Sequence, residues 1–290
     1  MAPRSKEEVV KTRIVVGVWL VLGSACAFAA GPVNMMSNDL MVLAAGRGAG
    51  AMGSFWTTDL WIRCPGLGDV TLEFHALDSA SAAPTATATV HMTEPVAFLP
   101  DVLDTAFGMS SGFGNIRIRT TTPGSATIRL SSPGSGGAYG FAFMAMPASM
   151  GMGSHSSMMG DDFDAARMYV QGLRPQPQAR VNVMVMNTGS TPIQGSVDVL
   201  DADGAAPATG PISMRFSIQP YSGHQFNDVL AQVHSRFSDD MGLQMRIRLD
   251  DGTPGSMMSL ASVTDNATND GYVIMGSMMD ASGMGSMMGR

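Results

Sequence analysis

The sequence predicts an all-β protein made of two tandem antiparallel β-sandwich modules, joined and followed by flexible, exposed segments rich in Met, Gly and Ser. Three observations lead to this prediction. Only 14% of the 290 residues are charged whereas 34 are Gly, a balance that favours strands and turns over charged amphipathic helices. Apolar and polar residues alternate in several stretches. The stretches that alternate also occur twice along the chain.

The alternation is clearest at 70–76 and 181–186. Each stretch places an apolar residue at every second position, which is the period of a strand with one buried face. Turn clusters at 187–192 and 201–204 follow the second stretch, and their Asn, Asp, Gly and Pro residues suit tight turns. Because no long crossover helix separates the strands, we expect antiparallel sheets. Only two short segments fit a helical turn, 100–107 and 226–233.

The second copy of each repeated segment lies 123 to 129 residues after the first. The matched segments are 58–66 with 181–189, 70–78 with 193–201, 101–103 with 228–230, and 115–119 with 244–248. An offset that grows along the chain is what small loop insertions produce. The predicted organisation is a signal peptide at 1–30, a Met-containing segment at 31–45, the first module at 46–147, a Met-rich linker at 148–164, the second module at 165–276 and a Met-rich tail at 277–290.

The first thirty residues have the pattern of a signal peptide. Basic residues precede an apolar run at 14–25, and small residues lead to Ala30. The run is shorter than the roughly 20 residues that span a membrane, so we expect an exported protein, periplasmic or secreted, with no transmembrane span in the mature chain. Cys26 leaves a lipoprotein as an alternative, although the residues before it lack the usual leucine.

Charge and cysteine content exclude some classes of function. The net charge of -7 provides no broad basic surface for a phosphate backbone, so nucleic acid is not expected as a partner. Two Cys are too few for a disulfide framework or a thiolate metal site. After cleavage Cys64 would remain alone, and we expect it to be buried and inert.

No motif in the sequence points to catalysis. A nucleophile elbow needs Gly-x-Ser-x-Gly between a strand and a helix, and no such segment is found. Adjacent carboxylates such as Asp250 and Asp251 would point to opposite faces of a strand. We therefore predict no catalytic and no cofactor-binding residues. A hydrolase with a site at the module junction is the least favoured alternative.

Methionine is the unusual residue, with 27 in the chain. Two tracts, 144–159 and 275–288, hold twelve of them, and a shift of 129 residues superimposes the tracts. Thioethers select Cu(I) over harder ions, so a Cu(I) or Ag(I) site in the tracts is one hypothesis. Two other interpretations are methionine as a gap-filler in cores and as a sink for oxidants. The candidate metal ligands are Met150, Met152, His155, Met158, Met159, Met279, Met284, Met287 and Met288.

A calcium site is less favoured. Residues 265–270 offer several oxygen ligands, among them Asp265 and Asp270. The other interpretation is an Asx-rich hairpin loop whose side chains bond to their own backbone. We also expect Trp56 and Trp61 to anchor the core of the first module, whereas an exposed pair would form a sugar-binding platform.

Residues 55–62, the turn at 187–189 with the strand and turn after it, and 260–270 resemble immunoglobulin-like or fibronectin-like modules of secreted, mostly uncharacterised bacterial proteins. The Met-rich tracts are similar in composition to those of periplasmic copper-resistance proteins. The first module departs from the pattern at Cys64-Pro65-Gly66. The resemblance implies an Ig-like sandwich at the cell surface or outside the cell. We expect a non-enzymatic structural or interaction role with a protein or surface partner, and Cu(I) binding as the alternative.

Overall fold

The computed structural model describes residues 35–50, 53–134, 137–153, 167–173, 179–207, 210–231, 242–250, 253–265 and 271–277. The described residues belong to one compact unit. Every pairing between described strands is antiparallel, which confirms the all-β, antiparallel prediction. The predicted signal peptide and Cys26 lie outside the described residues and stay predictions.

We divide the strands into two sets. The first strand set comprises β1 Ser37–Ala49, β2 Phe55–Arg63, β3 Gly68–Ala76, β4 Ala86–Met92, β5 Val96–Leu99, β6 Gly112–Gly134, β7 Gly137–Met144 and β8 Met146–Pro147. The second strand set comprises β9 Met152–Gly153, β10 Arg167–Leu173, β11 Ala179–Asn187, β12 Ile193–Asp201, β13 Ile212–Ile218, β14 Gly223–Phe226, β15 Leu243–Leu249, β16 Ser256–Asp265 and β17 Gly271–Met275. Helix α1, Val102–Thr105, lies within the predicted helical turn at 100–107.

The strand pairings recur in the same order in the two sets. In the first set, β3 pairs with β4 and with the start of β6, and β2 pairs with β5 and with the end of β6. In the second set, β12 pairs with β13 and β15, and β11 pairs with β14 and β16. The sets differ because β6 continues unbroken from one pairing to the other, whereas β15 and β16 are separate strands. The division into two modules stays a prediction.

Each strand set has its own apolar core. In β3, Val70, Leu72 and Phe74 are fully buried, as the alternation predicts. The same holds in β11 for its valines, which lie in the core of the second set. Cys64 is buried in the first core with a free thiol, which confirms its predicted burial.

A third apolar cluster joins the two sets, and we call it the methionine zone. Its buried members are Met41, Leu43, Ala44, Met184, Met186, Met258 and Leu260, and Met146 and Met275 are among the half-buried residues packed against it. Met146 and Met275 belong to the two Met-rich tracts, so the expectation that the tracts are exposed was wrong for these two residues, whereas Met144 and Met150 are exposed as expected. Thioether side chains are flexible enough to fill the irregular space between two sheets.

Strand positions also differ from the predicted boundaries. Strand β1 passes through residue 45, which we had placed in a segment ahead of the first module, and it is a central strand of its sheet. Strand β9 lies in the predicted linker and pairs with β16. None of the helices in the described ranges is long and apolar enough to span a membrane.

Candidate functional site

A cleft of about 440 Å³ opens between the two strand sets, beside the methionine zone. One side, the aromatic wall, comes from the first set and consists of Trp56, Phe113, Leu130 and Phe141. The opposite side, the polar wall, comes from the second set and consists of Arg180, Asn182, Gln225, Asn227, Asp228, Ser262 and Thr264. The cleft thus combines an apolar surface with a polar one, as ligand sites commonly do.

The aromatic wall is held directly against the backbone of β1. Gly46 is the strand partner of Phe113, and a Cβ atom at Gly46 would collide with the Phe113 ring. A Cβ atom at Gly50 would likewise collide with the indole nitrogen of Trp56. The Phe113 ring remains 38% exposed at the cleft, and the Trp56 and Phe141 ring centres are 6.2 Å apart. Glycine at these two positions is therefore needed for the rings to take their places.

The polar wall follows from the register of β11 and β16. The valines of β11 point into the second core, so the residues between them face the first strand set. Arg180 is paired with Thr264 and Asn182 with Ser262, and these residues line the cleft. The next pairs on this face are Met184 with Leu260 and Met186 with Met258, which belong to the methionine zone.

Hydrogen bonds position part of the polar wall. The backbone N–H of Asp228 donates to Asn182 Oδ1 at 3.0 Å, and Gln225 Nε2 donates to Asn227 Oδ1 at 2.6 Å. Asp228 has a left-handed backbone, with φ of 42°. In the part of the chain that the structure describes, Asn182 Nδ2, the Ser262 hydroxyl and the Trp56 indole N–H have no protein hydrogen-bond partner. These groups remain available to a ligand.

The equivalent turn in the first strand set is closed by an ion pair. Asp101 has the same left-handed backbone as Asp228, and its N–H donates to Asp59 at 3.0 Å. The Asp101 carboxylate accepts a bond from Arg47 Nε at 2.9 Å. No arginine is bonded to the Asp228 carboxylate among the described residues, whereas Oδ1 is buried without a partner in both Asp101 and Asp228. Among the described residues, the two equivalent turns therefore differ in the arginine, which bonds to the first carboxylate and not to the second, and the second turn lines the cleft.

A second contact fixes the two walls relative to each other. Residues 76–78 of the first set run beside 221–224 of the second and form an isolated parallel bridge between Leu77 and Gly223. The Asp78 N–H donates to the Gly223 carbonyl at 2.8 Å, and Ser222 Oγ donates to the Ala76 carbonyl at 2.7 Å. Together with the methionine zone, this contact ties the sets together at two places.

Arg117 and His75 lie at this second contact. Arg117 donates to both oxygens of Asp39, at 2.8 and 2.7 Å, and its guanidinium lies 4.0 Å from the Tyr221 ring centre. The hydrogen bond to Asp39 raises the pKa of Arg117. His75 is 2% exposed, and burial lowers the pKa of its imidazole. Neither ring nitrogen of His75 has a hydrogen-bond partner among the described residues, and Glu73 is 4.0 Å away. The His75 ring packs against Tyr221, and its burial disfavours the charged imidazolium.

Only two of the nine predicted copper ligands lie in described residues. Met150 ends a short 3-10 turn and is 40% exposed. Met152 lies in β9 opposite Met257 and packs against the second core. The other seven lie outside the described residues: His155, Met158, Met159, Met279, Met284, Met287 and Met288. The structure therefore does not test the copper site, and it stays a prediction.

Other metal ligands give no site within the described ranges. No three His, Cys, Asp or Glu side chains come together there in a way that could hold an ion. Asp265 ends β16, and Asp270 lies outside the described residues. The calcium site is likewise untested and stays a prediction.

The two tryptophans take different places from those expected. Neither belongs to the first core. Trp56 lines the cleft, while Trp61 lies on another face, where it stacks on Phe98 with ring centres 4.7 Å apart.

The sequence did not reveal the polar wall, because Asn182 and Ser262 become neighbours only through the pairing of β11 with β16. The polar residues between the valines of β11 were the one available signal.

Comparison with known proteins gives no family. No protein-family model matches the chain, and no curated protein matches it. Two solved structures resemble it at a TM-score of 0.21: the apo form of the Pleurotus ostreatus lectin, 9% identical over 86% of this chain and 77% of that one, and the lectin from Pleurotus ostreatus in complex with GalNAc, 8% identical over 86% and 81%. At this TM-score the two likenesses carry no argument about function.

Proposed function

We propose that this protein is a non-enzymatic binding protein that holds a small polar ligand in the cleft between its two strand sets. The observation that carries the proposal is the opposition of the aromatic wall and the polar wall across about 440 Å³. This volume lies within the range of roughly 300 to 1,000 Å³ that is usual for small-molecule sites. A partly apolar ligand with hydrogen-bonding groups would contact both walls at once.

The construction of the cleft supports a preformed site. Both walls stand mainly on paired strands, and the methionine zone and the 76–78 contact join the sets on which they stand. A site that is already shaped loses less conformational entropy when a ligand binds. Export, which the first thirty residues predict, would bring such a protein to ligands outside the cytoplasm.

The composition of the cleft favours binding over catalysis. Among the described residues that line it, Asp228 is the single carboxylate, and no His or Cys is present. Glycoside hydrolysis in its common forms uses two carboxylates, and acyl transfer uses a nucleophile next to a base. The cleft therefore supports a non-enzymatic role better than the alternative of a hydrolase at the junction.

Tryptophan fluorescence of the full chain tests the proposal. The Trp56→Phe variant loses the cleft indole, and the matched Trp61→Phe variant loses the outer one. The probes are monosaccharides, disaccharides, free amino acids and nucleosides, each supplied separately at millimolar concentration. We expect at least one probe to change the emission of the wild type and of Trp61→Phe but not that of Trp56→Phe. Emission that no probe changes, or that changes equally in Trp56→Phe, would contradict the proposal.

A further inference from the structure

The aromatic wall is suited to a ring that has an apolar face. Phe113 is one of its partly exposed rings, and Trp56 also carries an indole N–H that has no partner among the described residues. An aromatic face is electron-rich and attracts the weakly positive C–H groups of an apolar ring surface, while the indole N–H donates to an oxygen. A pyranose ring presents both features, since one face carries C–H groups and its rim carries hydroxyls.

The polar wall complements a rim of hydroxyl groups. A hydroxyl both donates and accepts hydrogen bonds, so it is best matched by groups that do both. Ser262 and the amides Asn182, Gln225 and Asn227 supply donors and acceptors on one side of the cleft. Because Asn182 Oδ1 is already bonded to the Asp228 N–H, its Nδ2 donors are the part left for a ligand.

Charge in the cleft argues against a strongly ionic ligand. Among the described residues of the lining, Arg180 is the single arginine and Asp228 the single carboxylate. Phosphate groups are usually bound by several basic side chains or by a run of backbone N–H groups. Neither feature is present among the described lining residues. A neutral ligand fits this nearly balanced pair of charges.

We infer that the ligand of the cleft is a neutral saccharide, bound as one or two pyranose rings that stack on the aromatic wall with hydroxyls towards Asn182 and Ser262. The inference rests on the proposed function and names its ligand class. The stacked pair of Trp61 and Phe98 presents aromatic surface outside the cleft and can be compared with the aromatic wall inside it. Trp61 therefore provides the matched control for Trp56.

Isothermal titration of the full chain with neutral mono- and disaccharides tests the inference, with nucleosides and free amino acids as the competing classes. We expect a saccharide to bind, and its affinity to fall by about tenfold or more in Trp56→Ala and in Ser262→Leu. In Trp61→Ala the affinity should stay within about twofold of the wild type. Ser262→Leu leaves the aromatic wall intact, so it remains informative if Trp56→Ala fails to fold.

The outcomes separate the inference from the proposed function. If a nucleoside or amino acid binds in a Trp56-dependent way and no saccharide does, the ligand class is wrong and the binding function stands. If no solute of any class binds, both are wrong. A saccharide whose affinity depends on Trp61 but not on Trp56 or Ser262 would place the site on the outer face and overturn the inference.

Discussion

The methionine zone and the cleft lie on the same face of the same sheet, yet the first is closed and the second is open. Both are built on β11 and β16. Met184 and Leu260 belong to the methionine zone and also line the edge of the cleft, and Asn182 and Ser262 lie two residues further along the same strands. Where the side chains are long and apolar, β1 packs on them through Met41 and Leu43. Where the side chains are polar, the two strand sets stand apart.

The difference shows how one sheet face can hold two sets together and also leave room for a ligand. Burial of apolar surface stabilises a contact by roughly 25 cal/mol per Å². The buried methionines therefore stabilise the contact between the two strand sets. Polar side chains lose hydrogen bonds to water when they are buried, unless other partners replace those bonds. Closing the polar end of the sheet face would therefore cost free energy. In the proposed function, a ligand supplies such hydrogen-bonding partners at the open end.

The largest effect is expected from a truncation inside the methionine zone. Met186 is fully buried there, and Met186→Ala should lower the free energy of unfolding by about 2–4 kcal/mol through lost burial and a residual cavity. Urea unfolding measures this change. Met144→Ala is the control, because Met144 is 46% exposed and its loss should change stability by less than about 0.5 kcal/mol. Equal effects of the two variants would show that the zone does not hold the sets together.

A smaller effect is expected from acid at the second contact. Burial lowers the pKa of His75, so the unfolded chain takes up a proton at a higher pH than the folded protein does. The stability due to neutral His75 is therefore complete above about pH 6.5 and is lost as the pH falls below that value. Glu73 opposes this shift, and the charge of Arg117 adds to it.

Thermal unfolding between pH 5 and 8 measures the effect. We expect His75→Gln to make the melting temperature less dependent on pH than it is in the wild type. His91 is 72% exposed and pairs with Asp69 away from the second contact, so His91→Gln is the comparison for an exposed imidazole and should leave the part of the dependence that comes from His75 in place. A pH dependence that His75→Gln leaves unaltered would remove His75 as its source.

The smallest effect on stability is expected from methionines of the tracts that lie outside the described residues. Replacement of Met158 and Met159 by Leu should leave the melting temperature within about 1 °C of the wild type.

The same double variant tests the copper prediction. If that prediction is correct, anaerobic titration with Cu(I) against a chelator should show that the variant binds Cu(I) about tenfold more weakly than the wild type does. Met258→Leu is the control for the methionine zone and should leave Cu(I) affinity unchanged. Equal Cu(I) binding by all three proteins would contradict the predicted site.

Local patterns were enough to predict the strands at 70–76 and 181–186 and their buried faces, but not β1 or β9. The alternation at Val70, Leu72 and Phe74 predicts which side of β3 is buried, because a strand alternates its side chains between two faces. The same pattern in β11 predicts the burial of its valines but leaves the environment of Met184 open. Burial of that residue depends on contact with β1, which is far away in the sequence.

The cleft could not be predicted for the same reason. Phe113 lies beside Gly46 only because β1 pairs with β6, and Trp56 faces Asn182 only because the two strand sets pack together. The tryptophan pair and the methionine tracts were both noticed in the sequence. Whether each of these residues lies in the cleft, on the outer face or in the methionine zone depends on tertiary contacts. No local pattern in a single sequence encodes those contacts.

A crystal structure of the full chain grown with a saccharide that binds in solution would show directly whether the cleft is the binding site. We expect density for a sugar ring between the two walls, stacked on the aromatic wall and hydrogen-bonded to Asn182 or Ser262. Density on the outer face at Trp61 and Phe98, with none between the walls, would contradict it.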